Sequence, residues 1–535
     1  MAWPGSSSYL ALDLEGEVPE EPRSGLTGFF ETSAPSLRAL VEAVDRGAGD
    51  PQVKGLVLRV GPLAAGWGRV EELRDALVRF RTSGKPSWAH LESAGNLEYY
   101  LATGCSKIAA APTALLDVSG LAAEVTFFRG TLDKVGIEAQ FEGVGKYKNA
   151  PNQFTETGFT APHREQMEAL VGGLFDEYVA AVAEGRGLAP EAVRALMDEG
   201  PFEAKRAAEA GLVDELLYRD QVEALVKGGA RLSPGKYVSA ARGFGFDGRP
   251  KLALLYAVGD IASGESQPGP LGGAGIAGSD TLIQGLREAT DDEDVRAIVL
   301  RVDSPGGSGV ASDAVWREIG RARRAKPVVV SMGDYAASGG YYIAMNADAI
   351  VAQPGTITGS IGVFSGKFTL RGLYRKLGLT RGTVVRGRNA TLFSSWEPWT
   401  DEQREKVRRM NEAFYETFVT KVAEARRKTN DEVDALAQGR VWTGRQALAA
   451  GLVDALGGLD RAVQVARDKA KIPAGQETRL VVLPEKKGLF ETLLERQDED
   501  VVSRALGPEA RALVEWAAAA GDGPMARLPF ALSVR

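Results

Sequence analysis

The chain has 535 residues, 44% hydrophobic and 25% charged, with a net charge of −7. That length exceeds one hydrophobic core and predicts two or more domains, and the acidic balance without a long basic run argues against a nucleic-acid partner. One cysteine (Cys105) excludes an internal disulfide framework and a multi-cysteine metal site, and two histidines (His90, His163) leave little material for a zinc site or a Ser-His-Asp triad.

In chain order, the start MAWPGSSSYLALDLEGEVPEEP lacks the basic and apolar regions of a signal peptide. Nowhere is there a run of about 18 apolar residues, so no transmembrane helix is predicted. The expected location is cytoplasmic, or at most peripheral to the inner membrane. VKGLVLRV (Val53–Val60) is a short β-branched run and reads as a buried strand. A long helical period follows over His163–Glu184. Lys227–Pro250, rich in glycine and proline, reads as a join. Beyond it, Lys251–Val258, Arg296–Val302 and Lys326–Met332 read as strands. Asp280–Thr290, Ala311–Arg324 and Asp401–Arg427 read as helices. Ala262–Asp280 reads as a mobile loop. Strands alternating with helices predict an α/β fold with largely parallel pairing.

The second half repeats the first. VKGLVLRV returns as VRAIVLRV (Val295–Val302), 242 residues on (53 to 295). Glu98–Pro112 aligns with Gly340–Pro354, and Arg129–Ile137 with Arg371–Leu379, at the same displacement. Ala208–Leu216 matches Leu448–Leu456 after a shift of two residues. The expected organisation is a first repeat over 1–227, a linker over 228–250, a second repeat over 251–485 and a tail over 486–535.

The two copies have lost different residues. GDYAASGGYY (Gly333–Tyr342) carries Ser338, and Asn96 stands at its counterpart. A hydroxyl at a strand-to-helix turn is exposed to a substrate, although an ordinary helix-capping serine is the plainer reading. DSPGGSG (Asp303–Gly309) carries two glycines past a strand end, where backbone N–H groups can face an oxyanion. The first copy reads GPLAAGW there. GVGKYKNA (Gly143–Ala150) carries Lys148, and the second copy reads VRGRNA with no lysine. A lysine serves as a base once burial lowers its pKa, and Ser-Lys pairs are a known variant of the triad. A serine in one copy and a lysine in the other predict one active site shared by both.

These motifs, with TGSIGVF (Thr358–Phe364), resemble the signal peptide peptidase A family of serine proteases in its long, tandem-repeat form. The resemblance spans about residues 10–470. It implies an α/β fold of two tandem Clp protease/crotonase-like ββα repeats with additional helices. It implies Ser338 as nucleophile, Lys148 as general base, Ser360 as the group orienting the lysine, and Gly307 and Gly339 as the oxyanion hole. It further implies a serine endopeptidase that degrades cleaved signal peptides and other unfolded hydrophobic peptides, with no cofactor and no metal. The expected partners are peptides and further copies of the chain, in a tetramer, with peripheral membrane contact at most. A crotonase-like acyl-CoA enzyme and an inactive peptide-binding scaffold are the competing readings.

Overall fold

The computed structural model describes residues 7–21, 35–226, 229–241, 248–269, 275–484 and 525–527. Parts of the join, residues 270–274 of the expected loop, and the tail apart from 525–527 lie outside them.

Each half is built on one parallel sheet, and the two sheets share a strand order. In the first the order is Glu215–Leu216, Lys107–Ala110, Ser87–Leu91, Val53–Ala64, Ser8–Glu17, Ala230–Leu232. In the second it is Ala455–Leu456, Ala349–Ala352, Val328–Ala337, Val295–Ser304, Lys251–Val258, Arg479–Val482. All ten pairings are parallel. The central strands are apolar on both faces because helices cover both, which is why they read as continuous hydrophobic runs. A 26-residue helix occupies the same place in each repeat, Ala161–Arg186 and Asp401–Arg426.

The expected strands and helices are all present, with two extensions. The strand expected to end at Met332 runs on to Ala337 and delivers Ser338 directly from its end. The expected loop after Ala262 is partly regular: Ile276–Gly278 is a strand against Asp260–Ala262, and a helix starts at Ser279.

A third sheet joins the halves. Its order is Ile276–Gly278, Asp260–Ala262, Gly306–Ser308, Met525–Arg527, Val363–Thr369, Glu138–Val144. The last strand belongs to the first repeat and pairs antiparallel with Val363–Thr369 of the second over seven positions. Phe141 from one side meets Phe364 and Phe368 from the other. Gly366 is required there, because a Cβ would fall 1.7 Å from the Phe141 ring.

A buried charge network forms a second seam. Arg301, 1% exposed, is bidentate to Glu20 (2.9 and 2.8 Å) and lies 2.9 Å from Glu72. Arg69 of the first repeat donates to Asp334 of the second at 2.5 Å, and Asp334 also accepts from the Gly66 and Arg69 N–H groups. Buried charges persist only when paired in this way. Burial and the Asp334 charge push the Asp303 carboxyl up to about 7.

Candidate active site

Ser338 lies at the end of Val328–Ala337 and before the short helix Gly339–Ala344. Its φ is +55°, a left-handed conformation that costs a non-glycine residue about 1–3 kcal/mol. The surroundings enforce it. The Ser338 N–H donates to Gly359 O at 2.7 Å, and its carbonyl accepts from the Tyr342 N–H at 2.8 Å. Ser360, the next residue after that glycine, shares the strain at φ +51°, and its N–H donates to Arg440 O at 2.7 Å. Both side chains are fully buried.

Lys148 enters from the first repeat. The strand Glu138–Val144, held on Val363–Thr369, ends beside a turn that swings Lys148 under Ser360. The Tyr147 N–H donates to Gln438 O at 2.8 Å, and the Lys148 N–H to Gly145 O at 3.0 Å. Lys148 Nζ then stands 2.8 Å from Ser338 Oγ, 2.9 Å from Ser360 Oγ and 3.0 Å from Ser360 O. The ammonium has no carboxylate partner among the described residues, and burial holds its pKa well below the usual lysine value. The structure therefore brings Lys148, Ser338 and Ser360 into mutual hydrogen-bond reach from sequence separations of 190 and 212 residues.

Gly307 sits on the strand Gly306–Ser308 at φ +151°, opposite Ile261. A Cβ there would fall 2.1 Å from Ile261 O, so only glycine fits. Gly339 is the first residue after Ser338 and is fully buried at the helix start. A Cβ on Gly340 would fall 2.7 Å from Ser304 O, so the turn after Ser338 packs against the strand end that leads into the glycine pair. Met525–Arg527 lies antiparallel to Gly306–Ser308, with Met525 also opposite Phe364. A backbone strand is accommodated between the glycine turn and Val363–Thr369.

Two supporting residues escape a reading of the sequence. Gly439 (φ +77°) would place a Cβ 2.5–2.6 Å from the Lys148 backbone and Cβ, and Gln438 (φ +54°) supplies the carbonyl that holds Tyr147. They lie almost 300 residues from the lysine in AQGRVW (Ala437–Trp442), and nothing in that string signals a lysine seat. The histidines take no part. His90 is buried in the first sheet and bonds Leu217 O. His163 lies on the long first-repeat helix against Phe127 and Phe159, where burial lowers its pKa to about 4. No group of three or more metal-ligating side chains occurs among the described residues. No helix among them is long and apolar enough to cross a membrane.

The model of peptidase family S49 matches the chain twice, over residues 79–233 and 321–473. A chloroplastic serine protease SPPA of Arabidopsis thaliana is 35% identical over 488 residues, covering 89% of this chain and 71% of its own. Protease 4 of Salmonella typhi is 34% identical over 494 residues, covering 86% of this chain and 78% of its own. Among solved structures, a point mutant of the membrane-bound stomatin-specific protease 1510-N aligns at 16% identity and TM-score 0.28, covering 44% of this chain and 99% of its own.

Proposed function

The chain belongs to peptidase family S49 and is a serine protease; from that premise we propose that Ser338 and Lys148 form a Ser-Lys dyad that cleaves released signal peptides and other unfolded, hydrophobic peptides. The observation that carries the dyad is the 2.8 Å approach of Lys148 Nζ to Ser338 Oγ in a buried site without a counter-charge. Burial lowers the pKa of an amine in that setting and so favours its neutral form. It then has two N–H groups and one lone pair. The N–H groups suit Ser360 O and Ser360 Oγ, and the lone pair is left for the Ser338 hydroxyl proton. Ser360 is accordingly the positioning residue for the base.

The reaction follows from this division. Lys148 takes the Ser338 proton as Oγ attacks the peptide carbonyl carbon. The carbonyl oxygen becomes an oxyanion held by the N–H groups of Gly307 and Gly339. Collapse breaks the C–N bond, and the lysine ammonium returns its proton to the leaving amine. A water then loses a proton to Lys148, attacks the acyl ester and releases the acid, while Ser338 is reprotonated.

A peptide substrate is supported by the pairing of Met525–Arg527, which adds as a strand to Gly306–Ser308 and meets Val363–Thr369 at Phe364. Strand addition reads the main chain, so it admits many sequences but only extended ones. A folded domain cannot present such a strand. The expected working form is a homo-oligomer, a tetramer, that restricts access to extended chains.

The test uses a serine-reactive phosphonate and a synthetic signal-peptide remnant. Labelling should map to Ser338, fall away in Lys148→Ala, and be accompanied by cleavage of the remnant but not of a folded protein. Absence of labelling at Ser338 would overturn the dyad and return an acyl-CoA enzyme to consideration.

A further inference from the structure

The segment Ala437–Trp442 touches both the lysine turn and the serine that orients the lysine, and its one charged residue, Arg440, takes no part in the proposed proton transfers. The backbone of the segment holds three points at once. Gln438 O accepts from the Tyr147 N–H at 2.8 Å, Arg440 O accepts from the Ser360 N–H at 2.7 Å, and the Gly439 N–H donates to Ile361 O at 2.7 Å. Gly439 packs so closely on Lys148 that a Cβ would fall 2.5 Å from the Lys148 nitrogen. Any displacement of residues 438–440 therefore moves the base and its orienting serine together.

The Arg440 side chain fixes where that backbone lies. Its guanidinium sits over the Tyr147 ring, 4.9 Å from the centroid, and over the Trp442 ring at 4.8 Å. Nη1 donates to Tyr147 Oη at 3.4 Å and to Glu165 Oε1 at 3.3 Å, and Tyr147 Oη donates to the same carboxylate oxygen at 2.7 Å. Tyr147 immediately precedes Lys148. Glu165 lies on the first-repeat helix Ala161–Arg186, and its fully buried neighbour Gln166 accepts from the Val441 N–H at 3.1 Å. One guanidinium thus ties the lysine turn and the long helix of the first repeat to a strand end of the second.

The first repeat serves as an internal control. Ala208–Leu216 matches Leu448–Leu456 at 448 − 208 = 240, which sets Gly200 (440 − 240) in the place of Arg440. Phe202–Glu203 pairs antiparallel with Leu115–Leu116, as Val441–Thr443 pairs with Ile357–Gly359. The strand forms without an arginine. Asp198 and Glu199, which match Gln438 and Gly439, stay within the helix Pro190–Glu199, whereas Gln438 and Gly439 take positive φ. The arginine accompanies the lysine seat rather than the strand.

We propose that Arg440 is a positioning residue for Lys148, locking the 438–440 backbone against the lysine turn so that the amine stays dry and within reach of Ser338. This rests on the Ser-Lys reading. Lys148 itself faces the Ser338 and Ser360 hydroxyls and the Ser360 carbonyl, with no carboxylate partner among the described residues. The charged groups around Arg440 are Glu165 on the long helix, Lys146 over the Tyr147 ring at 4.7 Å, and Asp434, which accepts from Gln438 Nε2 at 2.8 Å. A loosened seat admits water to the amine and raises its pKa toward the ordinary lysine value. Charge alone acts differently. Losing the Glu165 anion would lower the Lys148 pKa, and Arg440→Lys, which keeps the cation but not the planar stacking fork, would leave it unchanged. Loosening raises it in both variants.

The test is the rate of phosphonate labelling of Ser338 in the full chain, measured against pH. Arg440→Lys and Glu165→Gln should each move the acid limb to higher pH by about half a unit, a loss of about threefold in rate below the limb. Arg440→Met should cost about tenfold there, and adding Glu165→Gln to it should cost nothing more, because both act through one contact. Glu165 is 54% exposed, so its variant keeps the fold and decides the matter even if Arg440→Met does not fold. An unmoved limb in Arg440→Lys, or a limb moved to lower pH in Glu165→Gln, would overturn the positioning role while leaving the dyad standing. Absence of labelling at Ser338 in the wild type would instead overturn the dyad, and the positioning role with it.

Discussion

Set side by side, the two repeats show what the turn proposed to be catalytic has beyond its sheet. Both present a strand, a turn and a short helix at the same place, Val328–Ala337 to Gly339–Ala344 and Ser87–Leu91 to Asn96–Ala102. In the second, Ser338 is held at φ +55° and Gly306 and Gly307 at +110° and +151°. In the first, Asn96 has no left-handed backbone, its amide bonds Gly120 across the turn, and Ala64 and Ala65 stand where the glycine pair would be. At this turn the left-handed backbone is kept in the copy that meets the lysine and is absent from the other, as expected when strain is retained for function.

Removing the lysine breaks the comparison most severely. Lys148→Ala should lower kcat by about 10³-fold or more with the circular dichroism spectrum unchanged. In the wild type, kcat/KM should rise with pH through the lowered Lys148 pKa, because in the proposed dyad the neutral amine is the base. The sign for stability is the same. Protons bind the unfolded lysine, near pKa 10.4, more readily than the folded one, so this group's contribution rises with pH up to that value. An acid limb that persists in residual Lys148→Ala activity would assign the ionisation elsewhere.

The seam between repeats comes next. Arg69→Met leaves Asp334 and Asp303 buried together without their cation and should cost about 3–5 kcal/mol, read as a lower urea midpoint. An unchanged midpoint would show that the charge network does not hold the halves. A smaller effect is expected at the lysine seat. Gly439→Ala forces a Cβ into the Lys148 backbone and should reduce kcat by about 10–10²-fold by displacing the amine, with KM little altered. The smallest effect is at the degenerate position. Asn96→Ser restores a hydroxyl but neither the strained turn nor a lysine, so total turnover should stay within about twofold of wild type, and Asn96→Ser with Ser338→Ala should remain inactive. Activity in that double variant would show the first repeat to be more than a donor of its lysine.

Much of this arrangement is legible in the chain. The repeat displacement, applied to Ser338 and Lys148, already assigns them to different copies. Buried parallel strands announce themselves because both faces are apolar, and those strands place the serine at a strand end. The junction is less legible. Glu138–Val144 carries no strong strand pattern, since its pairing face is supplied by Val363–Thr369 from across the repeat. The seat at Gln438 and Gly439 is silent because a positive φ leaves no periodic signal.

Pattern and repetition in the sequence by themselves pointed to the fold class, the duplication and the pair of residues proposed to carry the chemistry. Tertiary structure alone decided that the pair meets: Nζ and Oγ stand 2.8 Å apart because a strand of one repeat is hydrogen-bonded to a strand of the other. It also decided the state of the lysine, since a pKa depends on desolvation, and desolvation depends on everything packed around the amine rather than on its neighbours in sequence.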